Sequence, residues 1–464
     1  MSSELEAALQ ARIRSLGHSG ASVTGMEMLT GGASRQMWRV ATDAGGEWSR
    51  FVLRRDHPSD PAPDANTREA LTLIAAHAAG APCPSVLDHS SDPAVLGTPY
   101  LILGFVEGET IARKILRDER FDAARARLPR QLGDAIGTVH GVSPEGLPLP
   151  LLEDAVASLR DKYAALGVDR PALLLGLREL DRRRPEPAPR RTLVHGDFRL
   201  GNLMVDESGL AAILDWEIPH VGDPIEDLGY ICMRAWRFGG PGRVAGVGDA
   251  AEFLDAYADR TGFRPSEEQL TWWEAKATAT WGIGCLTQLR RSVPGHTNEL
   301  ELLAIGRRTA EQEHDLLELL YPEVTAAPMP DPSSAPGRTG RAAGLYTQPS
   351  SADLLQGLER FLDPTAEVPR NDFKLRVAKN VVSLLRREQE WGPVATRWYA
   401  DQLARLGLAD ESAFAERVRN LADTSAETPG VSELVAVLKT AARLRLEVSN
   451  PKYLQNAQPT RVTA

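Results

Sequence analysis

The hydrophobic positions between residues 26 and 56 fall in short runs, MEMLTGG, MWRVATD and WSRFVLRRD, each with β-branched or aromatic residues and separated by glycine-rich turns. This pattern predicts a β-meander. From Asn66 to Ala79 the rhythm changes: REALTLIAAHAA repeats apolar residues at helical intervals, and the following PYLILGFVEG reads as a buried strand. Strands, one helix and another strand make a small mixed lobe. Beyond Gly108 the helical interval dominates, in LPRQLGDAIGTVHGV, DAVASLRDKYAAL, AEFLDAYADR and TWWEAKATATWGIGCLTQLRR. One segment interrupts it. In RTLVHGDFRLGNLMVDESGLAAILDWEIPHVGDP, LMVD and AAILD read as the strands of a hairpin around Glu207-Ser208-Gly209, with charged loops at their ends.

Residues 322–350, PEVTAAPMPDPSSAPGRTGRAAGLYTQPS, are rich in Pro, Ser, Gly and Ala and lack periodicity, which predicts a flexible linker. After it, Leu354, Leu355, Leu358, Phe361 and Leu362, then Phe373, Val377, Val381, Leu384 and Leu385, recur at helical spacing. The expected organisation is therefore a small lobe over 1–105, a larger helical lobe over 106–321, the linker 322–350, and a separate all-α domain over 351–464. No internal repeat relates the two halves.

Composition narrows the class. With 464 residues, 42% hydrophobic and 25% charged, the chain has the proportions of a soluble globular protein of more than one folding unit. The first twenty residues alternate charge with apolar positions, so neither a signal peptide nor a membrane anchor is expected. Cys83, Cys232 and Cys285 are too far apart for a CxxC motif and odd in number for a disulfide framework, which points to a reducing cytoplasm. The net charge of −10 argues against nonspecific binding to nucleic acid. A small-molecule substrate, with no nucleic-acid or membrane partner, is the expectation that remains.

The chemistry concentrates in HGDFRLGN. Phosphoryl transfer from ATP needs a carboxylate near the attacking hydroxyl and oxygen ligands that hold Mg²⁺ against the phosphates. Asp197, five residues before Asn202, and Asp215 at the end of the next strand supply that set, since the hairpin returns to the edge it left. Such a pattern arises by accident on the order of once in a thousand chains of this length.

LVHGDFRLGNLMV followed by AILDWE resembles the catalytic segment of the aminoglycoside phosphotransferase and choline kinase-like superfamily, and the similarity extends over residues 20–320. The resemblance implies an α+β, two-lobed protein-kinase-like fold. It also implies ATP and Mg²⁺ as cofactors, Asp197 as catalytic base, Asn202 and Asp215 as metal ligands, and His195 and Asp227 as structural support. The small lobe matches through LTGGASRQMWRV, whose Gly31, Gly32 and Ser34 correspond to the family's turn over the phosphates. Arg54 in FVLRRD aligns with the strand residue, ordinarily Lys, that reaches the α- and β-phosphates, and Glu69 in TREAL with its ion-pair partner. Arginine also bridges phosphate oxygens, bidentately and with permanent charge. Leu103 and Phe105, at the hinge near Leu103–Gly108, are the implied contacts to the nucleotide. Within the superfamily, HGDFRLGN, DWE and GDPIEDLGY most resemble the phosphotransferase-like domains that precede some acyl-CoA dehydrogenases, which implies a hydroxyacyl-CoA acceptor. DFKLRVAKNVVSLLRREQE resembles an uncharacterised helical domain attached to such phosphotransferases.

Other conspicuous residues read as framework. Trp272, Trp273 and Trp281 fit a helix core, Arg182, Arg183, Arg184, Arg190 and Arg191 a solvated face, and Glu217 a structural acceptor near the loop. His140 and Cys83 receive no functional reading. Two further functions stay open. One is a nucleotide-binding regulator without transfer activity, whose helical domain recruits a protein partner or makes a dimer contact. The other is aminoglycoside modification, which requires an acidic pocket for a polycation.

Overall fold

The structure is a computed structural model that describes residues 2–29, 35–57, 61–296, 298–331, 345–346, 348–365, 368 and 370–455. The chain divides into two compact units, residues 1–153 with 187–270, and residues 154–186 with 271–464.

The first unit opens with the expected meander, β1 (Val23–Met28), β2 (Arg35–Thr42) and β3 (Arg50–Asp56). A strand not foreseen, β4 (Val86–Ser90), joins β5 (Tyr100–Gly104) to complete an antiparallel sheet of order β1-β2-β3-β5-β4. Every residue of β4 is half-buried, so its sequence carries no alternation to read. Successive strand residues point to opposite faces. Trp38 and Val40 of β2 and Phe51 and Leu53 of β3 therefore share one face, buried with Leu5, Leu9 and Ile13 of the helix Ser2–Ser15. Arg35 lies opposite Asp56, and Met37 opposite Arg54, on the other face. There the helix Pro63–Ala78, started by a proline in its first turn, brings Glu69 to the two arginines.

After β5 the chain passes Gly108 at φ 148°, where a Cβ would meet the Val205 carbonyl oxygen at 2.9 Å. Only glycine lets the backbone run this close. Glu109 and Val205 then exchange backbone hydrogen bonds of 2.8 and 3.0 Å, tying the hinge to the hairpin. That hairpin is β7 (Leu203–Asp206) and β8 (Gly209–Ile213), its turn closed by Asp206 Oδ1, which accepts from the Ser208 and Gly209 amides. A second small ladder pairs β6 (Thr192–Val194) with β9 (His220–Gly222). The helices Asp122–His140, Ile225–Cys232 and Ala250–Thr261 complete this unit.

The second unit is helical. Asp154 caps the helix Ala155–Leu166 by accepting from the amides of Val156 and Ala157, and Ser350 with Asp353 forms a capping box at Ser351–Leu362. The helix Thr309–Leu320 is buried along nearly its whole length and packs against Val431–Ser449, which in turn packs against the 34-residue helix Asp372–Arg405. Residues 271–321 thus group with the C-terminal helices, so the division between units does not coincide with the expected linker at 322–350. Proline and glycine content marks where a chain runs irregularly, whereas unit membership follows from which faces bury each other. Residues 332–344 and 347 of that linker lie outside the described residues. Trp272 and Trp273 are buried, the former donating Nε1 to the Leu180 carbonyl at 3.0 Å. Among the described residues, no helix is long and apolar enough to cross a membrane.

Candidate active site

The HGDFRLGN loop runs from β6 to β7, and DWE from β8 to β9, so the two small ladders fix both segments at both ends. The Leu214 amide donates to the Asn202 carbonyl at 2.8 Å, which fastens the residue before Asp215 to Asn202. The sequence placed Asp215 at the end of a strand. Instead β8 stops at Ile213, and Asp215 takes φ 65°, the left-handed region that residues with a Cβ rarely enter. Beside it the Leu214 carbonyl accepts from His195 Nε2, at 3.1 Å.

Asp197 is held at both carboxylate oxygens. Arg199 Nε meets Oδ1 at 2.9 Å and Asn202 Nδ2 donates to Oδ2 at 2.6 Å and to the Asp197 carbonyl at 3.0 Å. Tyr230, buried on the helix Ile225–Cys232, also hydrogen-bonds to the Asp197 side chain, and its phenol is raised well above the ordinary range, by burial first and by the carboxylate second. The Arg199 guanidinium lies 4.4 Å from the centre of the Trp236 ring, a cation–π contact that fixes its position.

Beneath the loop, Asp227 is wholly buried. Its Oδ2 accepts from the His195 amide at 2.7 Å and its Oδ1 from the Gly196 amide at 2.9 Å. His140 Nε2 donates to Oδ2 at 3.1 Å, and His140 Nδ1 is hydrogen-bonded to the Tyr257 hydroxyl at 3.0 Å. Burial opposes the charge of Asp227, but the His140 hydrogen bond and the loop amides outweigh it and hold the carboxyl below its usual range. Gly196 has φ 85°, and a Cβ there would lie 2.9 Å from the Ile218 carbonyl oxygen, so the turn that aims Asp197 requires glycine. His195 packs edge-on against Trp216, with ring centres 4.7 Å apart. Its Nε2 hydrogen goes to Leu214, so Nδ1 is left to accept from the Asp197 amide, at 3.2 Å. Burial depresses its basicity, which keeps that neutral tautomer.

At the small-lobe end, Arg54 and Arg35 both pair with Glu69; the Arg35 Nη1–Glu69 Oε2 distance is 2.9 Å. Glu69 is buried, and burial would raise its pKa, yet the two guanidiniums hold it lowered. Arg35 Nη1 also meets Glu217 at 3.0 Å, which makes Glu217 an acceptor beside the loop, as read from the sequence. Leu103, paired with Val52 and Val86, and Phe105, under the Arg50 guanidinium at 4.2 Å, are half-buried at the hinge. Gly31, Gly32 and Ser34 lie outside the described residues.

The electrostatics of the site favour a cation. Burial first, and then the charges of Glu217, Asp197 and Glu69, push the Asp215 carboxyl up to about 6. Among the described residues there is no cluster of three His, Cys, Asp or Glu arranged as a metal cage. Two hard oxygen donors remain, the Asp215 carboxylate and Asn202 Oδ1, since Asn202 Nδ2 is engaged by Asp197. That donor set fits Mg²⁺, which is usually bound by one or two protein oxygens together with phosphates and water.

Sequence reasoning missed Arg35, His140, Arg199 and Tyr230. His140 sits on the apolar stripe of its helix with Leu132, Ile136 and Val139, a position that ordinarily signals core. Arg199 and Tyr230 stood inside quoted motifs, but nothing in linear spacing says that both reach Asp197. Within the arginine run, Arg182 and Arg183 pair with Glu179, and Arg184 with Asp154 and Asp181.

Residues 26–270 match the phosphotransferase enzyme family, and residues 365–453 match a domain of unknown function (DUF6285). The chain is 28% identical over 201 residues to acyl-CoA dehydrogenase family member 10 of Mus musculus, covering 40% of this chain and 18% of that protein. It is 27% identical over 195 residues to acyl-CoA dehydrogenase family member 11 of Homo sapiens, covering 39% and 25%. The chain thus spans about a quarter or less of the length of these relatives. Among solved structures, a candidate aminoglycoside phosphotransferase from Ralstonia eutropha aligns with a TM-score of 0.52 at 22% identity, over 68% of this chain and 97% of that one. This likeness establishes the two-lobed kinase-like fold.

Proposed function

Because this chain belongs to the phosphotransferase enzyme family, we propose that it transfers the γ-phosphoryl group of ATP to a hydroxyl group of a small molecule, with a hydroxyacyl-CoA as acceptor. The observations that support the reading are the hydrogen bonds from Asn202 to Asp197 and the bond from the Leu214 amide, next to Asp215, to the Asn202 carbonyl. Asp197 orients the acceptor hydroxyl and takes its proton as the oxygen bonds to phosphorus and ADP leaves. Asn202 Oδ1 and Asp215 are the residues that would hold Mg²⁺, which neutralises charge on the phosphates when bound. Arg54, set by Glu69, binds phosphate oxygens, and Leu103 and Phe105 contact the nucleotide. His195 and Asp227 act on the loop rather than on the substrate.

The acyl-CoA class is supported by the HGDFRLGN, DWE and GDPIEDLGY motifs and by relatives that are named acyl-CoA dehydrogenases. A cytoplasmic location fits three buried cysteines that form no disulfide. Labelled ATP offered with hydroxyacyl-CoA thioesters, amino-alcohols and aminoglycosides in separate reactions tests the proposal. Mg²⁺-dependent label transfer to a hydroxyacyl-CoA is the expected result. Transfer confined to an aminoglycoside removes the acceptor assignment, and nucleotide binding without transfer to any hydroxyl favours the regulator.

A further inference from the structure

The small-lobe end of the site holds two arginines where one cation suffices to pair with a buried glutamate. Arg35 and Arg54 lie on the same face of neighbouring strands, because Arg35 is opposite Asp56 and Arg54 is two residues before Asp56. Both guanidiniums reach Glu69. The three carboxylate partners of Arg35 are unequal. Asp56, at 3.4 Å from Nε, and Glu69, at 2.9 Å from Nη1, have side chains 3% and 1% exposed, whereas Glu217, at 3.0 Å, is 41% exposed. The two buried carboxylates fix the guanidinium in place. The third pair is partly solvated, and ion pairs of that kind contribute about 1 kcal/mol or less.

Glu217 also has a telling position: it stands two residues beyond Asp215, so the Arg35 guanidinium is within hydrogen-bond distance of the segment that carries the candidate metal ligand. A guanidinium has five donors in a planar fork, and its pairing with a multiply charged phosphate is bidentate and stronger than with a partly solvated carboxylate. We propose that Arg35 is a phosphate-binding residue of the nucleotide site, which exchanges Glu217 for the β- and γ-phosphate oxygens of a nucleoside triphosphate while Asp56 and Glu69 hold its place. The inference rests on the phosphotransferase reading above. It assigns two arginines, not one, to the role that a lysine fills elsewhere in the fold.

The test is equilibrium binding of adenosine, AMP, ADP and ATP, the last two with Mg²⁺, to the full-length parent, R35K, R35Q and E217Q. R35Q is expected to weaken ATP roughly ten- to a hundredfold, as loss of a charge-assisted pair does, with adenosine and AMP changed less than about twofold on the same reasoning. R35K should recover part of the loss. E217Q should tighten ATP, because the competing carboxylate is gone. Equal losses across the four ligands would reveal a merely structural arginine, and weaker ATP binding by E217Q would overturn the exchange. Should the R35Q variant fail to fold, R35K decides, by whether its loss falls on ATP and ADP and spares adenosine and AMP. A parent that binds no adenine nucleotide sinks the phosphotransferase reading together with this one, whereas a parent that binds ATP with an unselective R35Q effect sinks only the role of Arg35.

Discussion

Asn202 donates one amide nitrogen to two acceptors of the same residue, the Asp197 carboxylate at 2.6 Å and the Asp197 carbonyl at 3.0 Å. The bond orients both partners at once: it turns Asn202 Oδ1 away from Asp197 and fixes the Asp197 carboxylate, the proposed base. The proposed base and the proposed metal ligand, five residues apart, thereby become one rigid unit.

The Asp197→Asn substitution keeps the shape of this unit and removes its basicity. Nucleotide affinity should change by less than about threefold, while turnover falls by about 10²–10⁴, the usual contribution of a general base. Parallel binding and label-transfer assays check this. Parent-level turnover by the variant would show that the proton goes elsewhere.

Asp215 should make nucleotide binding depend on pH. Its carboxyl titrates at about 6, above the unfolded value of 3.8, so the ligand-free fold binds this proton more tightly than the unfolded chain does. The stability it contributes is therefore fully present below the unfolded value and is lost as pH rises through about 6. Above pH 6 the ionised group is destabilising without a cation but ready to bind one. Asp215→Asn should raise the melting temperature of the ligand-free protein at pH 8, by on the order of 1–3 kcal/mol in stability, and should abolish Mg²⁺-dependent nucleotide binding. In the parent, that binding should weaken as pH falls through 6. Calorimetry at pH 5, 6, 7 and 8 reads both effects.

His140 is hydrogen-bonded to Asp227, which accepts from the amides of His195 and Gly196 in the loop. His140→Ala removes a buried hydrogen bond to a carboxylate and leaves a cavity, a combined cost of about 2–4 kcal/mol. Denaturant midpoints measure that cost, and turnover should fall more than ATP affinity, since the loop loosens while the nucleotide contacts remain. Equal losses in both would place His140 in the general core.

In the helical unit, Glu313 is clamped by Arg170, with Nε–Oε1 2.8 Å and Nη2–Oε2 2.6 Å, and by Arg445 Nη1 at 3.2 Å. Glu313→Ala leaves two buried guanidiniums without their shared partner and should destabilise this unit by about 3–5 kcal/mol. Helical circular dichroism against urea is the measurement. A variant that unfolds at the parental midpoint would show that the remaining partners compensate.

Local sequence was sufficient wherever a feature depends on near neighbours. The meander β1 to β3, the helix around Glu69, the β7–β8 hairpin and the two groups of C-terminal helices follow from periodicity and turn residues, which act over a few positions of chain. The HGD-to-Asn spacing and DWE were legible because a tight loop and a hairpin fix their own geometry. What required the tertiary structure was every relationship between distant segments. His140 and Asp227 are 87 residues apart, Arg35 and Glu69 are 34 apart, and no spacing rule connects them. The left-handed backbone at Asp215 and the His195 bond to the neighbouring Leu214 carbonyl are both invisible in AAILDWE. Residues 271–321 group with the C-terminal helices for the same reason. A helix such as Thr309–Leu320, buried on nearly all sides, advertises no single apolar face, so only the packed chain decides what surrounds it.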